Sequence, residues 1–63
     1  MTNKISKNAK KLYVTFNTNT YNDMIVEKNE YGEWIGTDTD GKKWSLLISL
    51  LRNGDFCKVT VIK

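Results

Sequence analysis

The chain has no histidine, no proline and a single cysteine, Cys57. Without histidine, neither a serine nor a cysteine nucleophile has its usual base, so catalysis of the Ser/His or Cys/His kind is not expected. One cysteine rules out an internal disulfide, and a zinc site built from Cys and His needs more ligands than this chain has. No cofactor is expected. A lone cysteine suits a reducing compartment better than secretion. No apolar run approaches the roughly 18 residues of a membrane span, and the opening residues MTNKISKNAKK lack the apolar stretch of a signal peptide. The expected location is therefore cytoplasmic. Abundant Lys and Asn with no Pro give a composition like that of an AT-rich mobile element.

Other catalytic patterns are thin. Glu27 with Glu33, or Asp38 with Asp40, could form a carboxylate pair, but on a half-exposed hairpin these are solvated charges. A glycosidase-like pair also needs a substrate cleft. Gly36, Asp38, Asp40 and Gly41 follow the spacing of a calcium loop. Its first and last positions would then be Gly36 and Leu47, where carboxylates are required. No glycine-rich phosphate loop is present. No enzyme is expected.

What is there is a β pattern. The 63 residues make one small domain, which buries only about 60% of its unfolded surface. With no disulfide or metal to help, a well-packed sheet or a dimer is needed. Residues 33–47 read as a hairpin with Asp40 and Gly41 as a two-residue turn, because Gly, and to a lesser degree Asp, tolerates φ > 0. That register sets Asp38 against Lys43, Thr37 against Trp44 and Ile35 against Leu46. A second hairpin closes through a four-residue loop, 29–32, setting Lys28 against Glu33 and Val26 against Ile35. Together these put Met24, Val26, Ile35, Thr37, Trp44 and Leu46 on the core face. Ile25, Glu27, Trp34, Gly36, Asp38, Lys43, Ser45 and Leu47 then face outward.

Residues 12–16 and 56–62 alternate as further strands, with Cys57, Val59 and Val61 directed inward. Residues 46–52 carry an apolar helical stripe as well as a strand pattern, and a strand to about Leu47 followed by one helical turn satisfies both. The expected fold class is all-β: a small five-stranded antiparallel curled sheet or barrel, SH3-like or OB-like, with one short helical turn near 46–52. Residues 1–10 are expected as a flexible basic arm and 11–63 as the barrel domain. An unpaired edge, 12–16 or 56–62, would support a homodimer.

Charge is unevenly spread. The first eleven residues carry +4, residues 23–40 carry −5, and residues 41–63 carry +4, for a net +3. Two functions from different classes follow. The first is a non-enzymatic protein-binding module, regulatory or inhibitory in type, docking on a partner protein with a basic surface. Its anchor is an outward Trp34, with Tyr31, Ile25, Glu27, Glu30, Glu33 and Asp38 around it. The alternative is a nucleic-acid-binding barrel using Lys4, Lys7, Lys10 and Lys11 of the arm with Lys42, Lys43, Arg52 and Lys58.

Overall fold

The structure, a computed structural model, describes residues 2–63, so the first residue of the expected arm lies outside it. Five strands form one antiparallel sheet: β1 (Lys11–Phe16), β2 (Met24–Lys28), β3 (Trp34–Asp38), β4 (Lys43–Leu46) and β5 (Cys57–Val61), in the order β4-β3-β2-β1-β5. A single helical turn, α1 (Ile48–Leu51), carries the chain from one edge to the other. The edges do not pair, so the sheet is curled but open. β1 lies between β2 and β5, which leaves only the β5 side of the two expected edges as an edge.

Both hairpin loops are built alike, and differently from expectation. Asn29 and Asp38 each open a three-residue loop whose last residue is a glycine, Gly32 (φ 80°) or Gly41 (φ 81°). In each loop the opening side chain's Oδ1 accepts two backbone N–H groups, those of Tyr31 and Glu33 in one and of Asp40 and Lys42 in the other. The glycine N–H closes onto the opening residue's carbonyl in both. This is a turn followed by one left-handed residue, the usual three-residue hairpin. Asp40 is not at positive φ, so the two-residue turn is corrected.

The corrected loop lengths flip one strand. The first loop is a residue shorter than expected and the second a residue longer. The two changes cancel for β2 against β4, so Met24, Val26, Trp44 and Leu46 share the inner face as expected. Only β3, between them, turns over: Gly36 stands opposite Val26 and Trp44, and Trp34 opposite Lys28 and Leu46. Trp34 is therefore core, 5% exposed, and the expectation of an outward ring is corrected. Ile35 and Thr37 lie on the outer face, opposite Ser45 and Lys43.

Gly36 explains why the chain takes this arrangement. A Cβ there would stand 3.0 Å from Met24 Sδ, 3.2 Å from Leu46 Cδ1 and 3.4 Å from Val26 Cγ2. The missing side chain lets these neighbours meet over the middle of β3.

The inner face of the sheet holds Leu12, Val14, Met24, Val26, Trp34 and Cys57, capped by Leu51 of α1 and by Ala9. Val59 is half-buried, while Val61, expected inside, is exposed. At the open end, rings fill the gap between the edges. Phe16 packs on Tyr21 and Phe56, and Tyr21 meets Trp44, at centroid separations of 5.2–5.4 Å.

Residues 2–10 are not a free arm. Thr2 bridges Asn53, Asn3 N–H donates to the Arg52 carbonyl, Ile5 packs on the core and Ala9 is buried. Lys10 is tied at both ends of its peptide unit, its N–H donating to Lys63 and its carbonyl accepting from Lys28. Ile5 and Ala9 supply the apolar contacts that a loose tail would lack, which is why the segment lies down.

Candidate nucleic-acid interface

The inner row of β2 runs Met24, Val26, Lys28. The first two enter the core and the third emerges at its rim, on the same face as Trp34. Its ammonium lies 5.3 Å from the Trp34 ring centroid. Here the sheet's inner face opens into a groove of about 470 Å³. One wall is the N-terminal segment, through Ile5, Ser6 and Lys7. The other is β4 with α1, through Leu46, Leu47, Ile48 and Arg52. Gly32 and Glu33 of the β2–β3 loop form one end.

Three cations from three separate elements thus line one groove: Lys7, Lys28 and Arg52. Among the described residues, none of the three is in an ion pair. Among the described residues the only acid lining it is Glu33, whose Oε1 accepts from Asn29 Nδ2 at 3.2 Å. A second depression continues from the first past Lys7 and Lys28 to Asn8 and Lys10. Beside the cations, Leu47 is 72% exposed and Ile48 is also exposed. Leu47 is the N-cap residue of α1, and both residues line the groove. Chemically, this is a cationic track with apolar contact surface alongside.

The remaining expected cations are dispersed. Lys11 and Lys43 lie on the outer face: Lys11 Nζ is 3.9 Å from Glu27, and Lys43 Nζ donates to Thr37 at 2.7 Å. Lys58 is exposed on β5, opposite Thr15. Lys42 sits over the Trp44 ring, 4.6 Å from its centroid, and Lys4 is exposed without lining the groove. Of the eight, Lys7, Lys10 and Arg52 come together, joined by Lys28.

The expected protein-binding residues do not assemble around Trp34. Ile25 and Glu27 are on the outer face, Glu33 is in the groove, and Glu30 and Tyr31 are at the β2–β3 tip. Asp38 serves the fold. Its Oδ2 accepts the Trp44 indole N–H at 3.0 Å while its Oδ1 holds the loop. The Trp44 hydrogen bond, with the Lys42 and Asp40 N–H groups behind it, keeps its carboxyl below the usual range. The expected cross-strand pair with Lys43 does not form, since Lys43 faces Thr37.

Cys57 is buried beneath Asn3, and burial pushes its thiol pKa up, away from the reactive thiolate. Among the described residues no three His, Cys, Asp or Glu side chains gather as metal ligands, and no helix is long and apolar enough to cross a membrane.

Sequence reasoning missed Lys28, which stands as the single base in an acidic stretch. It also missed Leu47 and Ile48 as groove residues. The period-two row from Met24 was the signal for Lys28: it shares a face with Val26 whichever way β3 turns. Compared with protein-family models, with curated proteins and with solved structures, the chain matches none.

Proposed function

We propose that the protein is a non-enzymatic binding module that holds single-stranded nucleic acid in the groove between its N-terminal segment, β2 and α1. The observation that carries this reading is the convergence of Lys7, Lys28 and Arg52 on one groove, with Lys10 in its extension. Modules of this class pair a cationic groove for the backbone with aromatic side chains on which the bases stack. Here Leu47 and Ile48 offer apolar contact surface in place of stacking rings. A duplex asks for a longer basic stripe, whereas Lys42, Lys43 and Lys58 lie outside the groove. The cytoplasm is the compartment proposed, where a single unpaired thiol stays reduced.

A second reading keeps a protein partner. Tyr31 is 79% exposed at the β2–β3 tip, between the exposed acids Glu30 and Glu33. A protruding aromatic ringed by carboxylates suits a basic protein surface.

One NMR titration separates the two. Labelled protein is mixed with oligothymidylate, with a duplex and with an arginine-rich peptide, at about 50 and about 200 mM salt. The first reading expects oligothymidylate to shift Lys7, Lys28, Leu47, Ile48 and Arg52, with the shifts collapsing at the higher salt. No shift with either oligonucleotide at low salt ends it. Peptide-induced shifts confined to Glu30, Tyr31 and Glu33 would favour the second.

A further inference from the structure

The wall of the groove that carries Lys7 is a strap pinned at two ends. At its far end, Ala9 is buried and Lys10 is hydrogen-bonded to both β2 and Lys63. At its near end, the pin is Asn3. Its side-chain amide donates to the Leu51 carbonyl at 2.9 Å and to the Cys57 carbonyl at 2.8 Å, so one NH2 group clasps the end of α1 to the start of β5. Its backbone N–H donates to the carbonyl of Arg52, itself a groove residue, at 2.9 Å. Between the pins, Ile5, Ser6 and Lys7 face the groove. A tight turn holds them, in which Ser6 accepts from the Asn8 and Ala9 N–H groups.

The geometry points to Asn3 as the positioning residue of this groove. It does not line the groove, but it holds the strap that presents Lys7 and the backbone that presents Arg52. Losing its two side-chain hydrogen bonds leaves only the Asn3 N–H and the Thr2–Asn53 bridge to hold this end, so the strap loosens and Lys7 is no longer fixed on the track, while β2 and its Lys28 remain. The inference rests on the nucleic-acid reading.

The test is the affinity of a labelled oligothymidylate against salt for Asn3→Ala, Lys7→Ala and the double variant. Each phosphate contact on a single strand contributes about −0.7 to the slope of log affinity against log salt. One lost contact therefore costs about eightfold at 50 mM relative to the 1 M limit. Asn3→Ala is expected to lose about that factor and about 0.7 of slope, and Lys7→Ala should then cost little more in its background.

Asn17→Ala is the matched control. Asn17 Nδ2 also donates to two backbone carbonyls, of Gly54 and Asp55, but it does not line the groove. It should leave affinity and slope unchanged. Wild-type affinity and slope in Asn3→Ala overturn the inference, and so does an equal loss in Asn17→Ala, which would trace to general loosening.

Should Asn3→Ala fail to fold, hydrogen exchange on the wild type decides. Slower exchange of the Asn3 amide with oligothymidylate bound supports the strap, and an unchanged rate overturns it. Absence of binding by the wild type would instead refute the nucleic-acid reading, and this inference with it.

Discussion

Lys28→Ala is the sharpest perturbation of the groove, because Lys28 lines both the groove and its extension and sits on a strand rather than on the strap. Suppose Lys7, Lys28 and Arg52 each neutralise one phosphate. The slope of log affinity against log salt is then about −2.1, and wild-type affinity falls about 18-fold between 50 and 200 mM. Removing Lys28 brings the slope to about −1.4 and the fall to about sevenfold. Affinity itself should drop about eightfold at 50 mM and only about threefold at 200 mM. The fold should survive, since Lys28 is exposed and its contact with Trp34 is worth about 0.5–1 kcal/mol at such a site. Fluorescence anisotropy of a labelled oligothymidylate over a salt series measures all of this. Lys58→Ala removes the same charge from β5, away from the groove, and should keep the wild-type slope. Equal slope changes in the two variants would refute the reasoning, because binding would then follow net charge and not the groove.

Three other outcomes follow from the fold. Gly32→Ala and Gly41→Ala should each cost about 1–2 kcal/mol by urea unfolding, from the left-handed backbone alone, since a Cβ at either position meets open space. Trp34→Ala should cost about 3–5 kcal/mol, a large share of a small domain's stability, and an unchanged melting temperature would contradict its burial. Asp38→Asn should lower the melting temperature at pH 7, because one amide cannot accept from both Trp44 and the loop. The folded carboxyl lies below its unfolded value. Its contribution is therefore complete above the unfolded value of about 4 and is lost as pH falls through the depressed one. The melting-temperature gap between the two proteins should accordingly be steady from neutral pH down to about 5 and narrow below about 4.

Much of this fold is legible in the sequence, and one strand shows why the rest is not. All five strands and the helical turn fall where alternation and the apolar stripe put them, because those patterns are local. The facing of β3 is not local. Ile35 and Thr37 are β-branched and look like the packed row, while Gly36 adds no apolar signal at the position where the core is tightest. A glycine chosen for close approach is silent in a hydrophobic pattern, so the pattern alone places Trp34 outside. The loop chemistry carried the missing information. Asn29 and Gly32, then Asp38 and Gly41, share one spacing, an Asx residue followed three places later by glycine, and that spacing means a three-residue loop in both cases.

The candidate groove was less legible for a different reason. Composition separates the charges into blocks along the chain, whereas the groove draws Lys7 from the first block, Lys28 from the acidic block and Arg52 from the last. The strap was unreadable because Ile5 and Ala9 are too few to announce packing, and Asn3 reaches partners 48 and 54 residues away.

The two matched loops also divide labour within the chain. Register depends on the opening Asx side chain and on the glycine, whereas Glu30, Tyr31, Thr39 and Asp40 at the tips are all exposed and belong to no part of the core. Fold specification and surface identity are thus written in different letters of the same short segments. The tips are the positions where a change of sequence would alter what the domain meets, while the Asx and glycine residues keep the register of the sheet beneath them.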